Sequence, residues 1–152
     1  MLIEQKIKDL GYELADAPKP LAAYVPCVKS GNFVFTAGQL PLVGGELKYV
    51  GQVGKDLSEE DGKKAAEISL LNCLSAIKGC IGELDQIKRI VKLTVFVSSP
   101  ADFYKQPVVA NGASELVLKI FGENGKHARS AVGVPSLPIN AAVEIEMVAE
   151  LK

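Results

Sequence analysis

Tryptophan is absent from this sequence and histidine occurs once, so the His-pair mechanisms and the H-E-x-x-H type of metal site are excluded. The cysteines number three, Cys27, Cys73 and Cys80, and form no C-x-x-C pair. On one helix, rising 1.5 Å per residue, Cys73 and Cys80 would stand about 10 Å apart, too far to bridge. Reduced thiols in a core are the expectation. The glycines make no phosphate loop, because Gly44-Gly45 is not followed by Lys-Ser/Thr and no G-x-G-x-x-G opens a helix. No apolar run approaches the roughly 20 residues of a membrane span. The first residues, with Glu4, Lys6, Lys8 and Asp9, lack a signal segment, and a cytoplasmic protein is expected. Seventeen basic residues are interspersed with 18 acidic ones for a net charge of −1, which offers nucleic acid or an anionic membrane no attraction. No metal and no cofactor are implied.

What is present is one domain spanning residues 1–152, with residues 1–16 as an N-terminal helical extension. Ile3, Ile7 and Leu10 lie at helical intervals ahead of Gly11, and that short helix reads as an appendage. Tyr24-Val25-Pro26-Cys27-Val28 and Phe33-Val34-Phe35-Thr36 flank Ser30-Gly31-Asn32 as a hairpin, and short edge strands flank Gly44-Gly45. A helix starting at Ser58 carries Ala66, Leu70, Leu74, Ile77 and Ile81 on one face and stops at Gly82. Residues 90–97 are apolar enough to predict a central strand covered on both faces. A second helix carries Val109, Ala113, Leu116, Val117, Ile120 and Phe121, and strands follow at 130–134 and, strictly alternating, at 143–151. The prediction is an α+β fold, a mixed β-sheet with two helices packed on one face. The other face, with Ile90, Phe96 and Val148, would need other copies of the chain to cover it, arranged in a ring.

Chemistry concentrates near the C-terminus. Arg129 heads a strand of otherwise small and apolar residues. Its planar fork suits a carboxylate, or else it forms a structural ion pair with a Glu. Glu144 and Glu146 share a face of the last strand, either as solvated side chains or with one carboxylate beside Arg129 orienting a water. Tyr24 either closes over a small ligand or fills the core. His127 reads as a surface residue.

Ser30-Gly31-Asn32 leading into Thr36-Ala37-Gly38-Gln39-Leu40-Pro41, then Val91-Lys92-Leu93-Thr94-Val95-Phe96-Val97, Ala128-Arg129-Ser130, Leu137-Pro138 and Val143-Glu144-Ile145-Glu146 occur in the order of the RidA (YjgF) family, which the chain resembles from about Ala17 onward. The resemblance implies a chorismate-mutase-like fold, homotrimers with a central β-barrel, and ligand sites between subunits. It also implies cofactor-free hydrolysis of small enamines and imines, such as 2-aminoacrylate, to 2-keto acids and ammonia. By the same resemblance Arg129 grips the substrate carboxylate, Glu144 stands near the attacking water, and Tyr24, Gly38, Asn111 and Ala131 line the site. Ala131 and Ala37 stand where deaminating members commonly have a cysteine and a serine, and His127 where a proline is common. A binding or regulatory protein without turnover, and a ribonuclease or translation inhibitor, are the competing classes.

Overall fold

The computed structural model describes residues 2–20 and 23–152. A β-hairpin opens the sheet, β1 (Cys27–Ser30) with β2 (Phe33–Thr36), turning at Gly31 with a positive φ of 58° that glycine adopts without strain. Gly44 and Gly45 turn the short pair β3 (Leu42–Val43) and β4 (Glu46–Leu47). The helix predicted from Ser58 is α2 (Glu59–Ile81). Its start is fixed by a reciprocal cap in which the Asp61 N–H donates to Ser58 Oγ at 3.1 Å and the Ser58 N–H to Asp61 Oδ2 at 3.0 Å. Gly82, at φ 89°, ends it. β5 (Ile87–Ser98), α3 (Gln106–Phe121), β6 (Ala128–Val134) and β7 (Val143–Leu151) complete the chain.

The sheet order is β1-β2-β7-β5-β6, antiparallel throughout except for the parallel β5–β6 pair, as a mixed sheet requires. Both α2 and α3 pack on one face. Ala66, Leu70, Cys73, Leu74 and Ile77 from α2 and Val109, Ala113, Leu116, Val117 and Ile120 from α3 are buried with Val34, Leu93, Val95, Val97, Val143, Ile145 and Met147 of the strands. Gly112 makes the close approach of the two helices possible, because a Cβ there would run into the Lys63 carbonyl of α2. Gly112→Ala is expected to lower stability by about 2 kcal/mol through overpacking, read by thermal or denaturant unfolding. A variant as stable as the wild type would show that α3 slides at no cost.

Within one chain β5 is covered on the helix side alone, which leaves open the face expected from the sequence: Phe96 is half-buried, and Val28, Phe33, Phe35 and Val132 expose 41–50% of their surface around it. Two expectations are corrected. Ile90 does not belong to that open face but lies fully buried in the core. Counting back from Leu93 in strict alternation misplaces it, because a bulge between Ile90 and Lys92 adds a residue and inverts the parity. The first helix, α1 (Leu2–Asp9), is no appendage. Ile7 is fully buried, the Leu2 and Ile3 N–H groups each donate to the Asp85 carboxylate at 2.8 Å, and Glu4 accepts from the Leu84 N–H at 3.1 Å.

All three cysteines are free, but only Cys73 is fully buried; Cys27 is half-buried and Cys80 exposed. Burial pushes the Cys73 thiol up to about 12. It pushes Cys27 equally far, helped by the Cys80 thiol beside it.

Candidate functional site

Arg129 sits on the edge strand β6, paired with Leu93 of β5. Paired residues in neighbouring strands point to the same side, and Leu93 points into the core, so Arg129 points to the helix side of the sheet. There α3 presents Asn111 and Ser114, three residues apart and hence on one helix face. Arg129 Nη1 donates to Asn111 Oδ1 at 2.9 Å and to Ser114 Oγ at 3.1 Å, and Nη2 donates to the Pro107 carbonyl at 3.4 Å. Every one of these acceptors is neutral. Among the described residues no carboxylate pairs with Arg129, so the structural ion pair that the sequence left open does not form. A half-buried guanidinium fixed by neutral partners keeps its full charge for an anion. A shallow cavity of about 270 Å³ opens at this point, lined by Ser114, Leu118, Lys126, His127 and Arg129. Ala131, two residues on, faces the same side and packs against the core.

Glu144 is paired with Phe96 and therefore lies on the open face of the sheet, as does Glu146, opposite Thr94. Gln39 bridges Ile145, its N–H donating to the Ile145 carbonyl at 2.7 Å and its carbonyl accepting from the Ile145 N–H at 3.0 Å, which lays Gly38 directly over Glu144. A Cβ at position 38 would collide with the Glu144 carboxylate, so glycine is what lets the two meet. Burial first, and then the charge of Glu146, raise the Glu144 carboxyl above the ordinary carboxylate range. Among the described residues nothing donates a hydrogen bond to Glu144 or pairs with it. A carboxylate held so is suited to exchange protons with a water or a leaving amine. Tyr24 is 56% exposed, which removes the alternative that it fills the core.

The candidate residues thus fall into two groups that one chain does not bring together. Arg129, Asn111 and Ala131 look to the helix side, whereas Glu144 and Gly38 belong to the open side. The partners of Arg129 and Glu144 on β5, Leu93 and Phe96, are three residues apart, an odd number, and side chains alternate. That parity keeps Glu144 from standing beside the Arg129 of its own chain.

Two residues of the arginine cluster escaped the sequence reading. Ser114 lies one helical turn from Asn111, a spacing visible beforehand. His127, read as a surface residue, is half-buried, with Nε2 at 2.9 Å from Ser114 Oγ and Nδ1 at 2.7 Å from the Gly125 carbonyl. Its two-residue spacing from Arg129 on an extended segment was the available signal. The larger cavity of about 640 Å³ lies elsewhere, between residues 54–59 and 102–105. It mixes Lys55 and Lys105 with Asp56, Glu59 and Asp102, and the Lys105–Glu59 pair at 3.2 Å spends its charge locally, so the arginine cluster is the better place for an anion.

The chain matches, over residues 4–151, the family model described as "YjgF/chorismate mutase-like, putative endoribonuclease", a span that takes in most of α1. It is 44% identical over 152 residues to protein TCP17 of Trypanosoma cruzi, an alignment covering 98% of this chain and 94% of that protein. It is 31% identical over 135 residues to the chloroplastic Reactive Intermediate Deaminase A of Arabidopsis thaliana, covering 89% and 62%. The crystal structure of protein Atu1372 from Agrobacterium tumefaciens superimposes with a TM-score of 0.94 at 42% identity, covering 99% of this chain and 93% of that one.

Proposed function

Starting from the fact that the chain belongs to the YjgF/chorismate-mutase-like family, we propose that it hydrolyses small 2-imino acids to 2-keto acids and ammonia, at sites completed where copies of the chain meet in a homotrimer. The observation that carries this reading is the Arg129 guanidinium, held by Asn111, Ser114 and the Pro107 carbonyl with no carboxylate partner. A substrate carboxylate would supply the missing counter-charge. Its bidentate grip leaves the C=N carbon facing outward for attack by water. Water adds to that carbon, and the tetrahedral carbinolamine then expels ammonia to leave the keto acid. Glu144 carries both protons of the water to the nitrogen, one as the water adds and the second as the carbinolamine hydroxyl becomes the keto oxygen, a role for which its raised proton affinity is suited. Gly38 leaves the backbone open beside Glu144, Ala131 gives room next to Arg129, and the exposed Tyr24 covers the ligand.

The open sheet face supports assembly, since Val28, Phe33, Phe35 and Val132 form an apolar surface that a neighbouring copy would bury. A neighbour seated there also supplies the juxtaposition that one chain lacks, bringing its arginine cluster to the Glu144 of the next. The Arabidopsis relative's name, Reactive Intermediate Deaminase A, supports the reaction class.

Ala131 and Ala37 carry neither thiol nor hydroxyl, which favours a second reading, a keto-acid-binding protein without turnover. Ribonuclease activity fits poorly: the chain's one histidine is engaged with Ser114 and Gly125, and the net charge is −1. The test is ammonia and keto-acid release from freshly generated 2-aminoacrylate and its longer homologues. Release well above the uncatalysed rate is expected. Background release together with tight 2-oxobutanoate binding would replace the enzyme by the binding protein.

A further inference from the structure

Resting on the deaminase reading, we infer that His127 is a positioning residue, which sets the Arg129 guanidinium through the hydroxyl of Ser114. With the imidazole neutral, the chemistry of the donors fixes each direction in this chain of contacts. Arginine only donates, so Ser114 Oγ accepts from Arg129 Nη1 at 3.1 Å. The one proton of Ser114 is then free for His127 Nε2, 2.9 Å away. The Gly125 carbonyl only accepts, so His127 Nδ1, 2.7 Å from it, carries the ring proton. The relay runs Arg129 to Ser114 to His127 to Gly125, and the neutral imidazole satisfies it in one tautomer only.

Its far end is a fixed point. Gly125 is buried against α3 so closely that a Cβ would lie 2.7 Å from the Val117 carbonyl. Ser114 is therefore locked as an acceptor facing Arg129 rather than free to swing toward water, and it works beside Asn111 to set one edge of the guanidinium. The opposite edge, held only by a 3.4 Å contact to Pro107, is left for the carboxylate. Loss of His127 frees the Ser114 rotor, and the guanidinium gains orientations that do not match a bidentate anion.

Two measurements test this. Because the chain has one histidine, a long-range proton–nitrogen NMR correlation in mildly alkaline buffer reports the His127 tautomer without assignment, and the Nδ1–H form is expected. Steady-state kinetics and 2-oxobutanoate titration then compare wild type, His127→Phe, Ser114→Ala and His127→Gln. His127→Phe and Ser114→Ala, cutting the relay at different links, are expected to raise KM and the keto-acid Kd about three- to tenfold with kcat within about twofold. His127→Gln offers an amide oxygen to Ser114 and an N–H to Gly125, and restores most of the affinity. An Nε2–H tautomer, or unchanged KM and Kd in both severed variants, overturns the inference. A wild type that neither binds 2-oxobutanoate nor turns over imine fells the deaminase reading instead, and the role of the relay with it. The imidazole signal would still report whether the relay exists.

Discussion

Arg129→Ala is expected to lower kcat/KM for 2-iminobutanoate hydrolysis by about a hundredfold or more while leaving a folded protein. On the proposed reading the guanidinium, which no carboxylate among the described residues neutralises, holds the anionic substrate, and its loss leaves the imine unfixed relative to any water. The variant folds because Arg129 sits on an edge strand and is only half-buried. Of its former acceptors, Ser114 lines the surface cavity, Pro107 is exposed and Asn111 is half-buried, so water can take the place of the guanidinium. Arg129→Lys keeps the charge without the planar fork and is expected to recover only part of the lost activity. Keto-acid release at matched folded concentration measures both. Arg129→Ala retaining wild-type kcat/KM would remove the arginine from the site.

Glu144→Gln is expected to separate catalysis from stability. The amide cannot accept the proton of the attacking water, so kcat falls by about a hundredfold. Stability moves the other way. The folded-state proton affinity of Glu144 is raised by burial and by Glu146, so ionisation disfavours the fold. Below the ordinary glutamate range both states are protonated and nothing is lost. As pH rises through the unfolded-state value and on to the raised folded-state one, the wild type pays for an unpaired, half-buried carboxylate. The variant is therefore expected to match wild type in acid and to exceed its Tm at neutral pH by on the order of 2 °C. Thermal unfolding as a function of pH reads this. An equal or lower Tm at neutral pH would mean that the neighbouring copy's guanidinium stands close enough to Glu144 to offset the cost of its charge.

Much of the architecture was legible because it rests on local chemistry. Gly82 and Gly122 stop the helices, the Ser58 cap starts one, and 143–151 alternates strictly and folds as β7. The open face was legible through Phe96 and Val148. What escaped depends on contacts distant in sequence. The bulge that buries Ile90 is a mismatch between β5 and β7, and no periodicity within β5 announces it. The docking of α1 depends on Asp85, more than 80 residues away. Glu144 was legible as a candidate, but its separation from Arg129 was not, since that follows from which β5 residue each strand meets. The contacts of His127 were not legible for a related reason: its partners are a helix residue 13 positions away and a carbonyl in the turn before β6.

The separation of Arg129 from Glu144 makes the central claim testable in one tube. Arg129→Ala and Glu144→Gln, each inactive alone, are mixed under conditions that allow subunits to exchange. If each site takes its arginine from one copy and its glutamate from the next, random mixing gives about a quarter of the sites both groups intact, and activity returns to about a quarter of the wild-type value. Mixed protein as inactive as its parents, with exchange confirmed by mass, would contradict a site shared between copies.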